Sequence, residues 1–480
     1  MCTNEASSGW PSALARPPPG FFFVRGVEGV LRTHRSRLRY RDDVDRRCAD
    51  FPMRGGIGAI PHMTVLFQPP PESPGGDSNR GLIGGSPAKY EEFVGMRIVD
   101  IRERSLPISR YDDPLVPSGG LTTSAVALTT DVIHDGKPIV GYGFSSIGRF
   151  AQGGLIRERF APRLLAAPEA SLVNEAGTNI DPCRAWDVMM KGEKSGGHRE
   201  RSVAVGTLDM ALWDAAAKIA GTPLYRFLGE RVAAPAASNE IRVYAGGGYP
   251  YPDNDIARLT DEVRQMLDLG HTHVKIKIGA SPLAHDLKRI EAVLDVLPAP
   301  YHLAVDAMNA YDAQTSMAAA AALAPFGLWW FEDVCDPLDF DTQFAVAAAY
   351  PPPIAAGEAL FSLAEAKLLR RHGGLRPERD ILLFDPVHCY GLPEYIRIVQ
   401  DFEEHGWNRS AFWPHGGHLF TAHVARAMGL GGAEVNPFSF APFGGYPNGM
   451  NIANGHVTLP TTTGIGFEAT PELAALFTAL

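Results

Sequence analysis

Cysteine is scarce in this chain of 480 residues: Cys2, Cys48, Cys183, Cys335 and Cys389 are odd in number and form no CxxC pair. That spacing argues against a disulfide framework and a thiolate zinc site, and it suits a reducing, cytoplasmic setting. No apolar run approaches the roughly 18 residues of a membrane span, and FFFV, Phe21 to Val24, is too short for a signal-peptide core. Positive charge is also in deficit, with 44 Lys and Arg against 54 Asp and Glu and a formal net charge of −10. Neither nucleic acid nor a membrane surface is therefore an expected partner. At 45% hydrophobic residues the chain can fill a sizeable core, as a globular enzyme does.

Sustained periodicity is missing from residues 1–95, which hold RPPPG, QPPPESPGG and GGSP clusters and the arginine-dense RTHRSRLRYRDDVDRR. They read as a disordered extension, with a basic arm for an acidic partner as the alternative. From Met96, MRIVDIRE, SAVALTTDVI and PIVGYGFSS predict three strands of an antiparallel sheet with a turn at Gly136–Lys137. RSVAVGTLDMALWDAAAKIAG predicts a helix closed by Gly221, giving an α+β domain over 96–238. Beyond it, IRVYAGG, HVKIKI, HLAVDA, LWWFED, IAAGEA, ILLFDP, SAFWPH and GAEVNPF alternate with helical stretches. Such alternation predicts a (β/α)₈ barrel, an α/β fold, from residue 239 to about 450.

Six of these runs end in an ionisable residue: Lys277, Asp306, Glu332, Glu358, Asp385 and His415, at intervals of 29, 26, 26, 27 and 30 residues. One βα repeat has about that length, so a barrel gathers all six at its C-terminal mouth, where such barrels carry their active sites. A lone acid at a βα loop more often caps the next helix, but Asp306, Glu332 and Glu358 in register would repel one another without a cation. Oxygen-only ligation points to Mg²⁺ rather than Zn²⁺. Strand alternation turns Glu332 inward and the adjacent Asp333 outward. Lys275 and Lys277 share a strand face, and each ammonium lowers the proton affinity of the other, which frees Lys277 to act as a base near pH 7. His415 in WPHGGH, with Asp385 one strand before it, forms a second acid/base group. His388 and His418 read as core or loop histidines. A Schiff-base aldolase using Lys277 and a non-catalytic barrel are the alternatives from other classes.

These residues and their order resemble the enolase superfamily, mandelate racemase subgroup, and within it the D-tartrate dehydratases. The likeness runs through GGLIRERFAPRLL, GEKSGGHRERSVAVGTLDMALWDAAAKIAGTPL, HVKIKIG, PHGGH, GGYPNG and GIGFE. It implies a modified TIM barrel, (β/α)₇β, under an α+β capping domain, with residues 451–480 packing back on the cap. The implied partners are a small-molecule hydroxy acid and further copies of the chain. The implied chemistry is removal of a proton α to a carboxylate by Lys277, stabilisation of the enediolate by Mg²⁺, and departure of a β-hydroxyl assisted by His415. From D-tartrate the product is oxaloacetate; a racemase or epimerase using the same pair, or another acid-sugar dehydratase, is the alternative within the class. By the same resemblance Lys275 holds a carboxylate oxygen, Lys194 contacts substrate from the cap, and Glu434 hydrogen-bonds near the bound carboxylate. The segment Ser109 to Thr123 covers the pocket. At the third strand, where the family usually reads Asp-Ala-Asn-Gly-Arg, this chain reads Asp306-Ala307-Met308-Asn309-Ala310.

Overall fold

Strands β1 (Ile98–Pro107), β2 (Thr122–His134) and β3 (Lys137–Phe144) form one antiparallel sheet in that order. Asp135 and Gly136 take φ of 49° and 74°, the left-handed pair that suits a two-residue hairpin. The reversal thus falls one residue before the expected Gly136–Lys137, and Lys137 already belongs to β3. The computed structural model describes residues 96–110, 120–148, 152–232 and 238–480. The expected extension over 1–95, and residues 111–119 of the expected pocket cover, lie outside the described residues.

The helix Glu200–Ile219 is buried along most of its length, as its nearly continuous apolar sequence requires. One side lies on the sheet, where a side chain at Gly141 or Gly143 would strike the backbone oxygens of Ala211 and Thr207 at 2.1 and 2.4 Å. The other side lies on the barrel. A Cβ at Gly206 would stand 1.9 Å from the carbonyl oxygen of Val387, so the missing side chain lets the helix rest on the loop that carries Asp385 and His388.

The barrel strands are β4 (Glu240–Gly247), β5 (Val274–Lys277), β6 (Leu303–Asp306), β7 (Phe331–Glu332), β8 (Ile354–Ala356), β9 (Ile381–Leu382) and β10 (Ala433–Val435). β4 to β9 pair in parallel in chain order, and β10 returns to pair with β4. The seventh expected run is not a regular strand: Phe412 makes one parallel bridge to Leu382, and Gly431 donates to the Phe412 carbonyl, closing the ring. Helices Asp255–Asp268, Leu283–Leu294, Ala313–Leu323, Phe340–Ala349, Leu363–His372, Leu392–Glu403 and Leu419–Met428 follow the first seven positions. After β10 comes a hairpin, β11 (Ile452–Ala453) and β12 (His456–Thr458), with β12 antiparallel to β4. The fold is therefore a TIM-like (β/α)₇β barrel with a capping domain. The final segment, expected to pack on the cap, divides its contacts: the hairpin joins the barrel, and only then does Gly464 bridge Pro223 and Phe477 stack on Tyr142 at 4.6 Å. None of the described helices is long and apolar enough to cross a membrane.

Alternation along the strands separates two cores. Val274, Ile276, Leu303, Val305 and Phe331 pack in the cluster shared with the surrounding helices, while Tyr244, Ala304, Trp330, Ala355, Leu383 and Trp413 form a second cluster inside the ring. The Tyr244 and Trp330 rings meet edge to face, 5.1 Å apart at 88°. This aromatic floor lies directly beneath the residues of the mouth.

Candidate active site

Parallel register builds the first wall. Lys277 pairs with Asp306 and Asp306 with Glu332, so three neighbouring strands present their ionisable residues in one row. Lys275, two residues before Lys277 and on the same face, puts Nζ 2.6 Å from Glu332 Oε1, 3.2 Å from Glu434 Oε1 and 3.8 Å from Asp306 Oδ2. Lys277 donates to Asp306 Oδ2. Glycine is needed at position 246, where a Cβ would lie 2.3 Å from Glu434 Oε1. From the floor, Trp330 Nε1 donates to Glu332 Oε2 at 2.8 Å. The backbone N–H of Met308 donates to Asp306 Oδ1 at 2.6 Å, so the main chain orients this carboxylate and the methionine side chain is left to line the cavity.

Glu358 stands just beyond the end of β8, after Gly357 with φ of 126°. One oxygen each from Asp306, Glu332 and Glu358 lies within 4.8 Å of the others, and Glu358 Oε2 is buried without a hydrogen-bond partner. Strand β7 ends at Glu332, Asp333 takes φ of 50°, and it is buried with Oδ2 unpartnered. Burial first, and then Glu358, push its carboxyl well above the usual range; burial and then Asp306 do the same to Glu332. The wall therefore holds more carboxyl groups than its two lysines can balance as carboxylates.

The expected lowering of the Lys277 proton affinity is not what the geometry gives. Burial lowers it, and Lys275 adds to that, but Asp306 in direct contact, with Tyr249, outweighs both and holds it above the ordinary lysine value. Lys275 is likewise raised: burial opposes its charge, and Glu332 and Glu434 more than offset that.

The second wall is built from loops. His415 Nδ1 is 2.8 Å from Asp385 Oδ2, and its Nε2 faces Glu358 Oε2 at 3.6 Å. Burial disfavours the imidazolium, but Glu358 and Asp385 outweigh it and hold His415 up to about 9. Asp385 is fixed by the N–H of Val387 at 2.7 Å and by the hydroxyl of Ser146 in the cap at 2.6 Å. His418 is a core histidine as expected: it lies edge-on to Phe144 and burial pushes it down to about 4. His388 instead lines the cavity, its ring centroid 5.3 Å from that of His415.

A cavity of about 240 Å³ separates the walls, lined among others by Lys277, Met308, Glu358 and His415, with Arg110 and Arg199 from the cap. Lys275, Asp306, Glu332, Asp385 and Glu434 lie buried around these lining residues. Lys194 is exposed and is not among the lining residues; Arg199, five residues later in GEKSGGHRER, reaches the cavity in its place. Arg110 belongs to the segment expected to cover the pocket, whereas sequence reasoning missed Tyr249. Tyr249 carries the Arg110 guanidinium 5.5 Å and the Lys277 ammonium 5.4 Å from its ring centroid. Nothing in the spacing marks Tyr249, because it belongs to a loop whose position depends on the assembled fold. A larger cavity, about 940 Å³, opens in the cap beside Tyr142, Asn179, Lys218 and Glu468. It shares no lining residue with the smaller cavity.

Residues 258–473 match the family described as enolase C-terminal domain-like. The match takes in the barrel from its first helix onward. The chain is similar to acid-sugar dehydratases and to cycloisomerases. Arabinonate dehydratase of Saccharolobus solfataricus is 27% identical over 289 residues, 59% of this chain and 74% of that protein. L-Talarate/galactarate dehydratase of Salmonella typhimurium is 30% identical over 204 residues, 42% of this chain and 48% of the relative. Among solved structures, L-talarate dehydratase from Polaromonas sp. JS666, complexed with Mg and L-glucarate, superposes with a TM-score of 0.60 at 26% identity. That superposition covers 78% of this chain and 94% of the other.

Proposed function

We propose that the chain is a Mg²⁺-dependent dehydratase of a hydroxylated acid, with D-tartrate to oxaloacetate and water as the specific reaction. The observation that carries the reading is the placement of Lys277 and His415 on two walls of one cavity beside a carboxylate triad. Relatives named for dehydration of acid sugars support the class. The choice of tartrate rests on the sequence resemblance through PHGGH, GGYPNG and GIGFE.

The donor set fits Mg²⁺: three carboxylates with oxygens within 4.8 Å, no nitrogen among them, an excess of carboxyl groups over lysines, and Glu358 Oε2 without a hydrogen bond. Asp306, Glu332 and Glu358 would hold the ion, which when bound supplies positive charge against the negative charge that develops on the substrate carboxylate. Lys277 Nζ takes the α-proton. Burial and Lys275 both lower its proton affinity, and Asp306, which holds it up, is a carboxylate that a cation would engage. Lys275, kept charged between Glu332 and Glu434, orients a carboxylate oxygen. His415, held protonated by Glu358 and Asp385, gives its proton to the departing β-hydroxyl, which leaves as water. The remaining enol tautomerises to a 2-keto acid. The cap-side substrate contact falls to Arg199 rather than Lys194.

Two proton-transfer groups on separate walls also suit a racemase or epimerase, which would exchange the α-proton without losing hydroxyl. Screening tartrate stereoisomers and acid sugars for 2-keto acid, with and without a chelator, tests the proposal. Chelator-sensitive product from at least one hydroxy acid is expected; no product from any of them sinks the dehydratase reading.

A further inference from the structure

The loop-built wall holds a second set of metal-type ligands, different in kind from the carboxylate triad. Asp385 Oδ2 lies 2.8 Å from His415 Nδ1 and 3.6 Å from His388 Nε2, and one ligand atom from each residue falls within 4.8 Å of the others. All three side chains are buried. Asp385 Oδ1 is occupied by the N–H groups of Val387 and His388, which leaves Oδ2 turned to the two imidazoles and to the Ser146 hydroxyl. The His388 ring is further set by stacking on Phe361, with centroids 5.7 Å apart at 28°, and by the Glu358 carbonyl 3.4 Å from Nδ1. Loop and cap contacts thus orient both histidines towards one carboxylate oxygen.

Two imidazole nitrogens and one carboxylate form a donor set that late first-row ions favour and hard Mg²⁺ does not. His388 and His415 both line the cavity, so an ion can enter from solvent and keep a fourth position for water. We infer that Asp385, His388 and His415 form a second cation site, selective for Zn²⁺ and similar ions over Mg²⁺, whose occupation withdraws His415 from proton transfer. The proton between His415 and Asp385 leaves to solvent as the ion takes its place. Binding rests on this geometry alone; only the inhibitory consequence rests on the role proposed for His415.

The full chain, saturated with Mg²⁺, is titrated with Co²⁺ as a visible probe and then with Zn²⁺ as competitor. One equivalent of Co²⁺ is expected to give visible bands that persist in excess Mg²⁺ and disappear with Zn²⁺. His388→Leu should weaken that binding at least about tenfold, His388→Cys should restore it with a thiolate charge-transfer band, and Glu332→Gln should leave it unchanged. Bands that vanish in excess Mg²⁺, or that survive His388→Leu and disappear in Glu332→Gln, overturn the site. Thermal melting of each variant separates loss of a ligand from loss of the fold. Where 2-keto acid formation is measurable, Zn²⁺ should inhibit wild type at about tenfold lower concentration than His388→Leu; equal sensitivity contradicts the inhibitory role. Absence of turnover on every acid would count against the dehydratase, and the cobalt result decides the site independently.

Discussion

The two walls of the cavity are built by different rules. Lys275, Lys277, Asp306 and Glu332 stand on adjacent parallel strands whose register alone brings them together. Asp385, His388 and His415 lie past strand ends and depend on loop hydrogen bonds, on Ser146 from the cap and on a helix that reaches the loop only because residue 206 is glycine. A wall set by register withstands changes elsewhere in the molecule. A wall set by loops can be loosened from a distance.

The largest effects should separate the chemical duties of the walls. Lys277→Ala removes the proposed base and is expected to lower both α-proton exchange and 2-keto acid formation on the order of 10³-fold, measured by NMR in D₂O and by a coupled assay. His415→Asn should lower 2-keto acid formation about 10²-fold while α-proton exchange persists, because its proton is needed only by the leaving hydroxyl. Equal loss of both signals in His415→Asn would favour the racemase reading.

Smaller effects probe what supports each wall. Trp330→Phe deletes the indole N–H that holds Glu332 and should weaken Mg²⁺ binding about tenfold by calorimetry, with a lower melting temperature from the cavity left in the aromatic floor. Gly206→Ala should act on the loop-built wall instead: a Cβ 1.9 Å from the Val387 carbonyl forces the helix off the loop. A destabilisation of about 1–3 kcal/mol is expected by denaturant titration, together with weaker dehydration and unchanged Mg²⁺ affinity.

The smallest effect is a pH slope set by two buried histidines of the barrel. Burial holds His271 down to about 4 and His423 down to about 3, against an ordinary value of 6.5. Because the folded values are depressed, the stability these neutral imidazoles contribute is present above pH 6.5 and is lost as pH falls towards their folded values. The melting temperature should therefore drop between pH 7 and 4, less steeply in His271→Phe. A flat profile would contradict the neutral burial of these rings.

The same contrast explains what was legible in the sequence. Spacing close to one βα repeat places Lys277, Asp306, Glu332, Glu358, Asp385 and His415 at one mouth, because barrel periodicity converts chain distance directly into position. The seventh strand was misread because SAFWPH has strand-like residues yet contributes only one bridge, through Phe412. Arg199 was missed in favour of Lys194 because spacing does not show which side chain of that loop meets the cavity. The sign of the Lys277 shift was misjudged because the strand pattern shows its ammonium neighbour but not the contact with Asp306. The indole bond from Trp330 to Glu332 could have been suspected from WFE, two residues apart on one face.

Hydroxy-acid turnover in D₂O tests the central claim most directly, with D-tartrate and its stereoisomers presented to wild type, Lys277→Ala and His415→Asn in the presence of Mg²⁺. The expected result is 2-keto acid from wild type, neither exchange nor product from Lys277→Ala, and exchange with little product from His415→Asn. Identical behaviour of all three proteins on every acid would contradict the assignment of both walls.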